Sequence, residues 1–204
     1  MNTAPAPQGV DVRAAILATG QRLMAGKGFS AVGLNEILAG AGVPKGSFYH
    51  YFGSKDAFGE AMLDAYFENY LLELDATLAL PGLTMAQRLE TYFLGWQHTQ
   101  ALFDCQGKCL AVKMAAEVAD LSEAMRLAIK RGAADIVERL ARAIAAGVAE
   151  GSLAIAAGAS ADATARSLYQ LWLGTSVMVK IARDTQPFAT ATMTTRQILH
   201  LPPA

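Results

Sequence analysis

Two cysteines lie in a polar break near the middle of the chain. Cys109 stands just before an apolar helical pattern that begins at Leu110 and follows Gly107, so it is expected near a helix N-terminus. There, free N–H groups, the helix dipole and the neighbouring Lys108 and Lys113 favour a thiolate that can be alkylated or oxidised selectively. The commoner role of a free cysteine is that of a small buried hydrophobe, so the residues alone leave both interpretations open. Nothing in the sequence assigns a role to Cys105.

A lone cation lies in the most apolar segment of the chain. Lys180 is the only charged residue between positions 171 and 181. Burying an ammonium without a partner costs several kcal/mol, so either its stem reaches the surface or its charge faces an anion. A Cys109 thiolate would supply that anion.

A second group of polar side chains lies on a very short predicted helix. Gly42 and Pro44 end one helix and start another, which can run only from Lys45 to Tyr51 before Gly53. A helix, a tight glycine-containing turn and a short second helix form a helix-turn-helix, whose second helix enters the major groove of DNA. Phe48 and Phe52 share one face, which is predicted to be buried. The residues left for phosphates and base edges are Lys45, Gly46, Ser47, Tyr49 and His50, with Lys55 just beyond.

Hydrophobic periodicity predicts the elements that hold these residues. It indicates an all-α chain of about nine helices without strands. We expect a flexible N-terminal tail over residues 1–10, a three-helix helix-turn-helix head over 11–54, and a helical sensor and dimerisation body over 55–204. One long helix from Lys55 to about residue 79 would link head and body. The segment 163–183 is apolar almost all round, which predicts burial in a monomer core or in a subunit interface.

Composition narrows the class of protein. The chain has 204 residues, of which 53% are hydrophobic and 17% charged, so it can bury a sizeable core. Its net charge of -1 and a barely basic first segment mean that DNA binding would rest on geometry, dimerisation and helix N-termini more than on bulk charge. The sequence shows no membrane-spanning segment and no signal peptide, so we expect a cytoplasmic protein without membrane contact, and no cofactor or metal ion.

The segment from Pro44 to Phe52, followed by Ser54 and Lys55, closely resembles the recognition-helix signature of the TetR/AcrR family of bacterial repressors. The resemblance extends over residues 11–65. It implies a homodimer that reads a palindromic operator in double-stranded DNA and responds to a small effector. One departure is Gly33, which stands where the family usually has Thr or Ser before the second helix, and which removes a hydroxyl that could have touched a phosphate.

The body is similar to the branch of that family that senses N-ethylmaleimide and other electrophiles. The similar segments are residues 107–113, 116–126, 171–174 and 180–181. In that branch a cysteine at the position of Cys109 responds to quinones, reactive aldehydes or chlorine oxidants. The resemblance therefore implies that Cys109, with Lys180 and Lys113 nearby, is the sensor of the effector.

Two alternatives stay open at this stage. The same repressor could bind an apolar molecule reversibly, held by Tyr92, Trp96, Met114 and Trp172. A small helical thiol enzyme would instead use Cys109 as nucleophile and His98 as base. That reading leaves the recognition segment without a function, and His98 is more simply a residue on a helix surface, so the sequence favours a DNA-binding protein over an enzyme.

Overall fold

The structure is a computed structural model that describes residues 9–105 and 109–201, with side chains over 12–101 and 109–201. Within these ranges every regular element is an α-helix and there is no strand, which confirms the all-α prediction. No helix of the described ranges combines the length and the apolar character needed to cross a membrane. The nine helices are α1 (Gly9–Lys27), α2 (Leu34–Ala41), α3 (Lys45–Tyr51), α4 (Lys55–Leu78), α5 (Met85–Cys105), α6 (Leu110–Leu121), α7 (Glu123–Glu150), α8 (Ala161–Ala182) and α9 (Gln186–Ile198).

Local signals in the sequence set most of the helix ends. Gly42 ends α2 in the left-handed conformation, with φ 67°, as the short helix that follows requires. The Ser54 hydroxyl accepts a hydrogen bond from the N–H of Ala57 and so caps α4. Gly33 caps α2 without any side-chain hydrogen bond. The helix α9 begins at Gln186, so Pro187 lies in its first turn, where no N–H donor is needed.

An aromatic cluster joins the recognition helix to α1 and α4. Phe48 and Phe52 are buried as predicted, and their rings lie 5.4 and 5.1 Å from that of Phe58 on α4. A Cβ atom at Gly20 of α1 would lie 2.3 Å from the Phe58 ring, so α1 approaches α4 closely at this point. The cluster fixes the tilt of α3 because Phe48 within the helix and Phe52, its C-cap residue, are both buried.

In the body, α4, α5, α7 and α8 pack around a hydrophobic core that is continuous with that of the head. Gly132 of α7 allows the ring of Phe67 on α4 to lie against its backbone. The helix α8 is less buried within one chain than its apolar sequence suggested, since Trp172 and Val179 face the core whereas Met178 and Ile181 are 52% and 70% exposed. Of the two predicted locations for this apolar segment, only a subunit interface would bury its outer side.

The close contact at Gly132 generates a stability prediction. In Gly132→Ala the new Cβ would meet the Phe67 ring at 2.1 Å, and we expect a loss of about 1 to 3 kcal/mol from overpacking. Gly95→Ala on α5, where a Cβ would meet nothing within 4 Å, is the matched control and should be neutral or stabilising because alanine favours the helix. Urea denaturation at fixed protein concentration measures both. Equal stability of the two variants would contradict the packing described here.

Candidate nucleic-acid interface and cysteine site

The recognition helix α3 presents one face to solvent. Lys45, Gly46 and His50 are exposed, Tyr49 is 55% exposed and Ser47 is half-buried. The Tyr49 ring lies edge-on to the buried ring of Phe48, at 5.6 Å between centroids, which orients it on the helix surface. The predicted contact residues of α3 are thus available to an external partner.

Lys55 is engaged within the protein. It is half-buried at the first position of α4, where its Nζ donates a hydrogen bond of 2.9 Å to the carbonyl oxygen of Phe29 and lies 4.5 Å from the centre of the Phe29 ring. The hydrogen bond and the cation–π contact both stabilise this position. The ammonium of Lys55 would have to leave Phe29 before it could hold a phosphate, so the structure separates it from the other predicted DNA contacts.

Cys109 occupies the N-cap position of α6, as its place before the apolar pattern predicted. The thiol is half-buried, caps no N–H group of the helix, and accepts a hydrogen bond of 3.4 Å from the hydroxyl of Tyr66 on α4. A hydrogen-bond donor at this distance stabilises negative charge on sulfur. The side chain of Cys105 and the whole of Lys108 lie outside the described residues.

A cavity of about 240 Å³ opens beside the sulfur. Its aromatic wall consists of Tyr66, Tyr70 and Trp96, and its polar wall includes the amides of Gln21 and Gln100. A neighbouring cavity of about 160 Å³ shares Tyr70 and Trp96 and adds Tyr92. The remaining residues that line the first cavity are Asn69, Glu73, Thr99 and Cys109.

Four tyrosines surround this region and keep their hydroxyl protons. Burial raises the pKa of Tyr66, Tyr70, Tyr92 and Tyr169, and negative charge on Cys109 raises that of Tyr66 further. The Tyr70 and Tyr92 hydroxyls are 2.8 Å apart. Among the described residues no buried side-chain nitrogen or oxygen lacks a hydrogen-bond partner. The cavity is therefore edged by neutral donors suited to a thiolate or to an oxygen atom of a ligand.

Lys180 lies close enough to Cys109 for their charges to interact. Burial lowers the pKa of Lys180, the positive charge of Lys113 lowers it further, and negative charge on Cys109 acts in the opposite direction. Lys180 is half-buried near the end of α8. The charges of Cys109 and Lys113 both act on Lys180, whereas neither lysine lines the cavity beside the sulfur.

Two predicted ligand residues lie elsewhere. Met114 is fully buried in α6 and does not line the cysteine cavity. The Trp172 ring is stacked between Phe93 and Phe188, its indole N–H donates to Thr195, and it borders a separate cavity of about 300 Å³. Of the aromatic residues predicted to hold an effector, only Trp96 lines the same cavity as Cys109.

Sequence reasoning missed Tyr66 and Tyr70 as site residues and placed them only in the apolar pattern of the long helix. The available signal was chemical, because a tyrosine at a core position needs a partner for its hydroxyl whereas a phenylalanine does not. His98 is exposed on α5 and does not line the cavity. The described residues contain no group of three or more His, Cys, Asp or Glu side chains that could hold a metal ion.

Comparison with known proteins covers both halves of the chain. Residues 16–62 match the family model described as bacterial regulatory proteins, tetR family, and residues 86–195 match that of the tetracyclin repressor-like C-terminal domain. The chain is 38% identical to the HTH-type transcriptional repressor NemR of Escherichia coli K12, over 94% of this chain and 96% of NemR. It is 31% identical to the repressor DhaR of a Mycobacterium species, over 86% of each chain. The crystal structure of reduced E. coli NemR superposes with a TM-score of 0.89, at 37% identity, over 95% of this chain and 100% of the other.

The hydrogen bond from Tyr66 to sulfur gives a kinetic prediction. Tyr66→Phe should slow maleimide addition to Cys109 about fivefold, because a single hydrogen bond contributes about 1 kcal/mol. The matched control is Tyr92→Phe, which removes a buried hydroxyl that bonds Tyr70 and not sulfur. Peptide mass spectrometry over a time course measures modification at Cys109 separately from Cys105. Equal slowing in both variants would mean that cavity polarity, and not this hydrogen bond, activates the thiol.

Proposed function

Since the chain belongs to the TetR family of bacterial regulatory proteins, we propose that it binds operator DNA as a homodimer and releases it when an electrophile modifies Cys109. It is a transcriptional repressor of that family, with NemR among its relatives. One observation carries the proposal. A half-buried thiol at a helix N-terminus receives a hydrogen bond from a buried tyrosine and borders a cavity large enough for a small molecule.

The DNA-binding step uses the exposed face of α3. Two heads would insert this helix into successive major grooves of a palindromic operator, about 34 Å apart. Lys45 would hold a phosphate and so fix position, while Tyr49 and His50 would reach phosphates or base edges. The buried face of α3, through Phe48, keeps this surface in a fixed orientation on the head.

The dimerisation step is supported by the outer side of α8. Val177, Met178 and Ile181 are exposed there, and Met193 of α9 is 55% exposed. Exposed apolar side chains grouped on neighbouring helices are typical of a protein–protein interface. A two-fold axis through this surface would give each dimer two identical heads, which a palindromic operator requires.

The sensing step is a covalent addition. The Cys109 thiolate would attack the electrophilic carbon of a quinone, a reactive aldehyde or an alkylating agent. With an α,β-unsaturated carbonyl, a sulfur–carbon bond forms, the electron pair of the C=C bond moves toward the carbonyl, and a proton from water completes the adduct. The hydroxyl of Tyr70 or the amide of Gln100 could donate to the carbonyl oxygen, since both line the cavity.

The modification must change the balance between two states of the dimer. A bulky group on Cys109 would displace Tyr66 on α4 and the first turn of α6, because both contact the sulfur or carry it. The helix α4 begins directly after the recognition helix and would carry the movement to the head. A difference of a few kcal/mol between DNA-bound and released states is sufficient, and a covalent bond in the cavity exceeds it.

A second candidate function is that of a repressor whose effector binds reversibly and without a covalent bond. The aromatic side chains of Tyr66, Tyr70 and Trp96 around the cavity favour it. Such a ligand would leave on dilution without any thiol reductant, whereas a thioether adduct at Cys109 would persist.

The salt dependence of operator binding tests the assignment of Lys45. The variant Lys45→Ala should lose one phosphate contact in each head of the dimer. Its binding to all DNA sequences should therefore weaken, and the slope of log K against log salt concentration should become less steep by about 2. The control is Lys130→Ala, an exposed lysine on α7, which is not part of the head. Fluorescence anisotropy with labelled operator at several salt concentrations measures the slopes. An unchanged slope in Lys45→Ala would remove this residue from the DNA contacts.

A gel-shift experiment tests the sensor. Cys109→Ser should keep its operator on treatment with N-ethylmaleimide or a quinone, because serine lacks the nucleophilic thiolate. After the same treatment, Cys105→Ser should release DNA as the chain without any substitution does. Release of DNA by Cys109→Ser after the same treatment would show that the sensor assignment is wrong.

A further inference from the structure

A carboxylate of the body binds the backbone of the head. Glu117 lies on α6, two helical turns beyond Cys109. Its Oε2 accepts a hydrogen bond of 3.1 Å from the N–H of Phe29, and its Oε1 accepts one of 2.7 Å from the N–H of Ser30. Phe29 and Ser30 belong to the connection between α1 and α2, so these bonds join segments almost ninety positions apart in the chain.

The connection is shaped to receive this carboxylate. Gly28 follows α1 with φ 90°, and a Cβ there would lie 2.8 Å from Oε2 of Glu117. Only glycine can adopt this backbone conformation without strain and also leave room for the carboxylate. Although partial burial raises the pKa of Glu117, hydrogen bonds from Ser30 and Phe29 and the charge of Lys113 lower it more, to a net value below the usual one. The carboxylate is therefore ionised when it binds the two N–H groups.

The same connection is tied to the recognition helix on its other side. The carbonyl oxygen of Phe29 accepts from Nζ of Lys55, the first residue of α4. The buried Phe29 ring and the side chain of Met125 on α7 both lie against Gly59 of α4. Because α3 ends only three residues before α4 begins, a shift of the Phe29 segment reaches the DNA-reading surface through one hydrogen bond and one short link.

Cys109 and Glu117 share one rigid element. The helix α6 is continuous from Leu110 to Leu121, and eight residues of α-helix place the two about 12 Å apart along its axis. Leu110, Met114 and Val118 anchor this helix in the core. A displacement at its N-terminus therefore moves Glu117 relative to the head.

We propose that Glu117 is the positioning residue that transmits the state of Cys109 to the DNA-binding head. In the unmodified protein its carboxylate holds the backbone at Phe29 and Ser30 in the DNA-binding position. An adduct on Cys109 shifts α6, the carboxylate leaves the two N–H groups, and the Lys55 contact no longer fixes α4 to the connection. This inference rests on the proposed sensing by Cys109.

The test compares operator affinity before and after treatment with N-ethylmaleimide in the full-length protein. Glu117→Ala should lower the affinity of the unmodified protein about fivefold or more, and should shrink the ratio of modified to unmodified Kd by at least fivefold. The alkylation rate of Cys109 should stay within about twofold of the original chain, because the thiol environment is intact. Glu117→Gln keeps one acceptor oxygen and should give intermediate values. Glu138→Ala, an exposed glutamate of α7 paired with Arg142, is the matched control and should leave both quantities unchanged.

The outcomes separate this inference from the one it rests on. If N-ethylmaleimide releases DNA from Glu117→Ala with the original Kd ratio, the transmission role is wrong and Cys109 remains the sensor. If Cys109→Ser releases DNA on treatment, the sensor assignment itself fails.

Hydrogen exchange of the original chain gives a measurement that needs no variant. The amides of Phe29 and Ser30 should be protected in the unmodified protein and exchange at least about tenfold faster after alkylation of Cys109, because their acceptor has left. Unchanged protection of these two amides after complete alkylation would overturn the proposal, even if Glu117→Ala fails to fold.

Discussion

A single uninterrupted helix supplies buried side chains to both the head and the body. The first turns of α4 place Phe58 in the aromatic cluster of the head, and its middle places Phe67 against Gly132 in the body. Burial of each ring contributes on the order of 2 kcal/mol, so neither end of the helix can leave its core at low cost. Head and body are consequently linked by a rigid helix, and any change that tilts α4 in the body must alter the position of α3.

The cysteine cavity adds a chemical constraint to this mechanical one. Tyr66 also lies on α4, and its hydroxyl donates a hydrogen bond to the sulfur of Cys109, while the hydroxyls of Tyr70 and Tyr92 form a hydrogen bond with each other. A buried hydroxyl that loses its partner costs about 1 to 3 kcal/mol, so a ligand that breaks one of these bonds must replace it. The cavity beside Cys109 and the helix that links head and body therefore share Tyr66 and Tyr70.

The sequence predicted those features that depend on neighbouring residues. The helix α3 has the limits that Gly42, Pro44 and Gly53 set for it, its Phe48 and the following Phe52 are buried, and Ser54 caps α4. Turns, caps and the buried face of a helix are all properties of neighbouring residues. The position of Cys109 at the start of α6 was predictable for the same reason.

Contacts between distant helices were not predictable. Periodicity shows which face of a helix is buried but not which neighbour covers it, so the bond from Tyr66 to Cys109 and the two bonds to Glu117 left no local trace. Lys55 shows the limit most clearly. Its place beside the recognition helix predicts a phosphate contact, but the sequence did not show that its ammonium binds Phe29, which lies 26 positions earlier in the connection between α1 and α2. The apolar pattern of α8 likewise predicted that the helix is buried, but it did not show whether the residues that cover it belong to the same chain or to a second subunit.

The cap of α6 has a consequence for how the thiol is reached. Serine, threonine or aspartate at this position would bind an N–H group of the first turn, and its absence costs a helix about 1 kcal/mol. Cys109 provides no such bond. The sulfur therefore lies at the end of α6 that has no side-chain cap, and a brief opening of the N-terminal turn would admit a reagent to it while Met114 and Val118 keep the rest of the helix in the core.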